Sequence, residues 1–150
     1  MVQQHDFKLF PELTNSQMQV FYFDSPHKQI VEEFNAKVVK VTDGDTIRVK
    51  WFERNFDFPI RFADLAAPEI KEFGGKESQS WLESQIMGKE VRIVPTKSRV
   101  ERWGRLLANV FHNGFDMSED SIRNGHGVKW DERELDKLPN FLKELEGIKI

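Results

Sequence analysis

The sequence predicts a mainly β protein of the α+β class: a small closed antiparallel barrel of five short strands, about three helices packed against it, and an N-terminal extension. Three observations carry this. Branched and aromatic residues alternate with polar ones in short runs separated by turn residues, the pattern of hairpins. The period becomes helical after the third run and again toward the end of the chain. At 150 residues, 39% of them apolar, the chain suffices for one core. Residues 1–35 are assigned to a partly ordered arm and residues 36–150 to the domain.

The arm joins a polar stretch, "PELTNSQ", to an aromatic patch, Val20-Phe21-Tyr22-Phe23, stopped by "DSPH". The patch reads as a short strand, with Phe21 and Phe23 on one face and Tyr22 on the other. Three adjacent aromatics are hard to hide in an arm without its own core. The arm is therefore expected as an edge strand or extended cover, on its own barrel or on a second copy in a homodimer. From Ala36, "AKVVKVT" and "TIRVKWF" flank "DGD" as a hairpin, and "DFPIRFA" supplies the third strand. "GGKESQSWLESQIMGKE" is helical, with Trp81, Leu82, Gln85 and Ile86 near one face and Gly88 at its stop. "VRIVPTK" and "RLLANVFHNGF" are the last two strands, the second closed by an Asn-Gly turn. "DMSEDSIRNG" is a short helix capped by Asp116, with Glu119 three residues on and Gly125 at its end. From Asp131 the chain is amphipathic through Leu135, Leu138, Phe141, Leu142 and Leu145, with Pro139 a kink or restart.

There are no cysteines, which excludes disulfides, thiolate metal sites and thiol nucleophiles. No basic leader or membrane-length apolar stretch is seen, so no membrane partner is expected, and a cytoplasmic location is. The net charge of -3 does not announce a nucleic-acid binder. Its distribution is uneven: residues 36–130 carry 16 Lys/Arg against 14 Asp/Glu, whereas residues 1–35 carry 2 against 5. A polyanion would dock on the middle segment. The histidines, at 5, 27, 112 and 126, show no ligand spacing.

Asp43-Gly44-Asp45 is by itself a turn, in which glycine supplies a positive φ and aspartate bonds nearby amides. The functional alternative places the Asp45 carboxylate at a strand start in a hard-cation site. Arg61 is a strand arginine paired with a carboxylate, or an anion ligand; Glu69 after Ala-Pro is a helix N-terminal acid, or a catalytic one. The "RWGR" turn, which presents Arg105 at the start of a strand, favours the second member of each pair. Two guanidiniums and a carboxylate suit phosphodiester hydrolysis, which needs charge neutralised at phosphorus and a water oriented or deprotonated. Trp81 and Phe58 read as core. Trp103 and Trp130 are candidates to stack on bases.

Together Asp43-Gly44-Asp45-Thr46, the Arg61 to Glu69 block "RFADLAAPE" and Trp103-Gly104-Arg105 resemble the staphylococcal nuclease-like (thermonuclease) family over residues 36 to about 130. The resemblance implies an OB-like five-stranded barrel with three helices, and metal-dependent, usually calcium-dependent, cleavage of DNA and RNA. By position, Arg61 and Arg105 would clamp the phosphate and Glu69 would act on the attacking water. Asp45 and the backbone carbonyl of Ala67 would hold Ca2+, with Mn2+ or Mg2+ as alternatives.

One departure matters. The family's second metal carboxylate falls on Ala66 here, which lowers the expected calcium affinity. Asp64 is a candidate to compensate: on a regular strand its side chain would share a face with position 66 but lie about 6 to 7 Å away along it, so a bulge or a water-mediated contact would be required. Trp103 stands where the family often has tyrosine. The competing expectations are a non-catalytic nucleic-acid-binding barrel that has lost its metal, and a protein-interaction module working through the arm.

Overall fold

The computed structural model describes residues 4–130. The strands are β1 (Phe34–Asp43), β2 (Thr46–Lys50), β3 (Phe58–Phe62), β4 (Glu90–Val100), β5 (Leu106–His112) and a two-residue β6 (Phe115–Asp116). They follow the order β3-β2-β1-β4-β5-β6, and a further pairing of β3 with β5 closes the first five into a barrel. The neighbours along that order whose registers are defined are antiparallel, but the closing pair, Ile60 to Leu106 through Phe62 to Ala108, is parallel. The barrel is thus mixed at one seam.

Period-two alternation turns one side of each strand inward. Val38, Val41, Ile47, Val49, Phe58, Ile60, Phe62, Val91, Ile93, Leu106, Ala108 and Val110 form the buried core. Helix α2 (Gly75–Ile86) lies over β1, buries Leu82 and Ile86, and bonds Val41 O through Gln79 Nε2. Trp81 packs half-buried on the core, but Gln85 is exposed, so the apolar face is narrower than expected. Helix α3 (Met117–Arg123) starts as predicted: the Asp116 side chain accepts from the N–H groups of Ser118 and Glu119. Asn113 and Gly114, both at positive φ, make the turn before it. The amphipathic segment expected from Asp131 lies outside the described residues.

The arm corrects one expectation. Phe21 is not in a strand: Asn15–Phe21 is a helix, α1, followed by a 3-10 turn over Tyr22–Asp24. The cause is a capping box, in which Thr14 Oγ1 accepts from Gln17 N–H while the Gln17 side chain accepts from Thr14 N–H. Helical geometry separates the two aromatics, leaving Phe21 half-buried and Phe23 95% exposed. The arm covers its own barrel: Ile30 joins the core and Leu13 is fully buried. At its base Glu12, 3% exposed, forms ion pairs with Arg54 and Arg99.

Candidate active site

A cleft of about 910 Å³ opens on one side of the barrel. Asp43, Asp45, Arg61, Asp64, Ala67, Glu69, Trp103, Arg105 and Trp130 line it, so segments distant in sequence meet there.

The turn between β1 and β2 carries the two aspartates. Gly44 sits at the back of that turn without a positive φ, contrary to the expectation for it. A Cβ at Gly44 would lie 1.9 Å from Ser78 Oγ and 2.8 Å from the Ala67 Cβ. Close approach to α2, not backbone handedness, therefore requires glycine here. Asp45 is 7% exposed and well partnered: Oδ1 accepts from the Thr46 hydroxyl at 3.0 Å and Oδ2 from the Ala67 N–H at 3.0 Å. Burial first, and the adjacent Asp45 carboxylate second, push the Asp43 carboxyl up to about 6.

Arg61, on β3, is buried beneath the cleft floor. Its Nη1 donates to the carbonyls of Phe62 and Leu65 at 2.7 and 2.9 Å, and Nη2 lies 3.3 Å from Asp45 Oδ2. No described residue accepts a hydrogen bond from Nε, while Nη2, on the same edge of the guanidinium, is held in the ion pair with Asp45. The Trp130 ring lies 5.2 Å from its Cζ. Burial pulls Arg61 below the usual arginine range; Asp45 opposes this and Arg105 adds to it.

Arg105 enters from the turn between β4 and β5. Glu101 takes its other edge, with Nε to Oε1 at 3.3 Å and Nη2 to Oε2 at 3.0 Å. Its Nη1 reaches Thr46 Oγ1 at 3.5 Å, so a polar chain runs from Arg105 through Thr46 and Asp45 to Arg61. Glu101 Oε1 also accepts from the N–H groups of Trp103 and Arg105, which closes the turn. Sequence reading missed Glu101; the signal was its place four residues before Arg105 across a Trp-Gly turn. Thr46 ends the Asp43–Thr46 motif, and its part in the site comes from the atoms that it meets, Asp45 Oδ1 and Arg105 Nη1.

Glu69 stands exposed on the cleft rim after Pro68, where its N–H donates to Glu72 Oε1 at 2.7 Å and its carbonyl accepts from Glu72 N–H at 2.8 Å. Trp103, 65% exposed, forms the opposite rim, with the Arg102 guanidinium over its ring. Ala66 is fully buried and bonded in both directions to Val128. The regular strand that would align Asp64 with it is absent: β3 ends at Phe62, and Asp64 sits in a turn with φ +60°.

The fold and this cleft define a barrel protein with two arginines and several carboxylates gathered in one cleft. The chain belongs to the staphylococcal nuclease homologue family, whose model matches residues 59–146, from β3 onward. That stretch contains Arg61, Glu69 and Arg105, while the aspartate turn precedes it. A probable staphylococcal-like nuclease of Oryza sativa subsp. japonica is 28% identical over 113 residues, 75% of this chain and 28% of the rice protein. An uncharacterized endonuclease of Escherichia coli O157:H7 is 29% identical over 120 residues, 79% of this chain and 74% of that one. A micrococcal nuclease of Shigella flexneri is 33% identical over 79 residues, 53% of this chain and 43% of that one. The chain therefore spans little more than a quarter of the rice relative and about three quarters of the E. coli one. No described helix is long and apolar enough to cross a membrane.

Proposed function

We propose that the chain is a nuclease that hydrolyses phosphodiester bonds of DNA or RNA with the help of a divalent cation, calcium by preference. The observation that carries this reading is that Arg61, its Nε without a hydrogen-bond partner among the described residues and its Nη2 paired with Asp45, lines the same cleft as Arg105, Asp45 and Glu69. A buried arginine held by backbone carbonyls costs no reorganisation when it receives a phosphate, so it favours charge that grows in the transition state. Arg105, tethered by Glu101, offers Nη1 from the other side. Glu69 on the rim orients or deprotonates the attacking water. Trp103 and Trp130 supply apolar faces to neighbouring bases. The names of the relatives agree with this chemistry.

The donor set fits a weakly held hard cation. Two carboxylates, Asp43 and Asp45, share the turn, and burial first and the neighbouring Asp45 second raise Asp43, which a bound cation would oppose. Among the described residues no group of three or more acidic or histidine side chains is placed to hold a metal. Asp45, Asp43 and the Ala67 carbonyl would hold the ion, with Asp64 nearby on the rim, and water and substrate oxygens would complete the shell. When bound, it would supply Lewis acidity at the phosphate.

Single-stranded DNA and RNA incubated with calcium, manganese or magnesium, then with excess chelator, test the reading. Cleavage that stops in chelator is expected, and Glu69→Gln should lower turnover by about 10² or more while DNA binding is kept. Arg105→Ala should lose most activity. The buried Ala66 favours a second reading, a non-catalytic nucleic-acid-binding barrel. Binding without cleavage under every metal would establish it.

A further inference from the structure

The turn between β4 and β5 carries Glu101, Arg102, Trp103 and Arg105, and the N-terminal arm holds it at both shoulders. At the first, Arg99 adopts a φ of +65° and donates from Nε to Ile30 O at 2.7 Å and from Nη1 to Leu13 O at 2.9 Å and Asn15 Oδ1 at 3.1 Å. At the second, Gly104 adopts a φ of +85°, and a Cβ there would lie 2.7 Å from Cδ1 of Phe10. The Phe10 ring therefore lies flush on the glycine that immediately precedes Arg105.

Phe10 is preset for this contact. Asp6 caps its turn, accepting from Lys8 and Leu9 N–H through Oδ1 and from Phe10 N–H through its carbonyl, and His5 Nε2 bonds Phe10 O at 2.7 Å. Without a side chain of its own, Gly104 has wide backbone freedom, and within the turn its N–H donates to Glu101 O at 2.9 Å. The ring restricts it from outside, as Glu101 does from within by binding the N–H groups of Trp103 and Arg105.

We propose that the arm is a positioning element for the cleft, and that Phe10 is a positioning residue which holds the Arg105 turn in its substrate-ready geometry. The proposal rests on the nuclease reading for its consequence in turnover, but its physical content does not need activity. A displacement of about 1 Å in a phosphate-binding group is worth up to about 10² in rate. Phe10 is 40% exposed, so its truncation removes a surface contact rather than core.

Phe10→Ala and Phe10→Leu test this in the full chain. Phe10→Ala should lower kcat on single-stranded DNA about tenfold with KM within about twofold, and Phe10→Leu, which keeps a cover on Gly104, should recover most of it. In parallel, hydrogen exchange at the Trp103 and Arg105 amides should quicken in Phe10→Ala while the β4–β5 ladder amides stay as in wild type. If wild type does not cleave DNA, the nuclease reading fails and the exchange measurement alone decides the role of Phe10. Unchanged exchange at the turn amides, or exchange quickened uniformly over the barrel, would overturn the proposal.

Discussion

Replacing Glu12 by glutamine keeps the side chain's size and removes one charge from a buried cluster. Glu12 is 3% exposed, and its two arginine partners have side chains that are 0% (Arg54) and 7% (Arg99) exposed. Arginine does not lose its proton in proteins, so both guanidiniums must stay charged after the change. What remains for them is neutral: the carbonyls of Lys28, Ile30 and Leu13, Asn15 Oδ1, and the face of Phe58, 4.5 Å from the Arg54 Cζ. Breaking a buried ion pair by removing one partner costs about 3–5 kcal/mol. For a chain of this size that corresponds to a fall in Tm of about 6–20 °C. Thermal and urea unfolding followed by circular dichroism measure it, with Glu33→Gln as the control. Glu33 pairs with Arg92 in the open, at 57% and 46% exposure, and its loss should move stability by less than about 1 kcal/mol. Equal behaviour of the two variants would refute the claim that Glu12 compensates the buried arginines and ties the arm to the barrel.

Two further outcomes are expected. The Asp43 carboxyl titrates near 6 in the folded chain against an ordinary 3.8, so the native state holds a proton that the unfolded chain releases, and stability falls as pH rises between those values. Asp43→Asn, in chelator, should match wild type below that window and exceed it above; a pH-independent difference between the two would show that Asp43 is not the group responsible. Ala66→Asp restores a carboxylate at a fully buried position, so the metal-free variant should melt lower than wild type, while calcium should raise its Tm more and support cleavage at a lower concentration. Equal calcium midpoints would remove position 66 from the metal site.

The helix α2 and the β1–β2 hairpin were legible because their signals are local: alternation over a few residues, a glycine stop, a tight turn. The strand expected at Phe21 failed for a local reason too, since the Thr14–Gln17 capping box outweighed a short apolar run. Arg61, Asp45, Glu69 and Arg105 were found by motif, and the structure places all four at one cleft. Glu101 and Thr46 were passed over because their importance lies in which atoms they meet.

By itself the sequence determined the alternation that builds the barrel walls, the caps that start α1 and α3, and the residue types available for phosphate chemistry. Each depends on neighbours a few positions apart, and chain geometry alone sets those. Only the tertiary structure decided that β3 closes on β5 in parallel, that Gly44 is needed for contact with Ser78 and Ala67, and that Asp45 pairs with Arg61 while Glu101 occupies one edge of Arg105. It also decided that Glu12, 42 and 87 positions before its two partners, neutralises Arg54 and Arg99. These are facts of closure: burial sets their energies, and burial exists only once distant segments have packed.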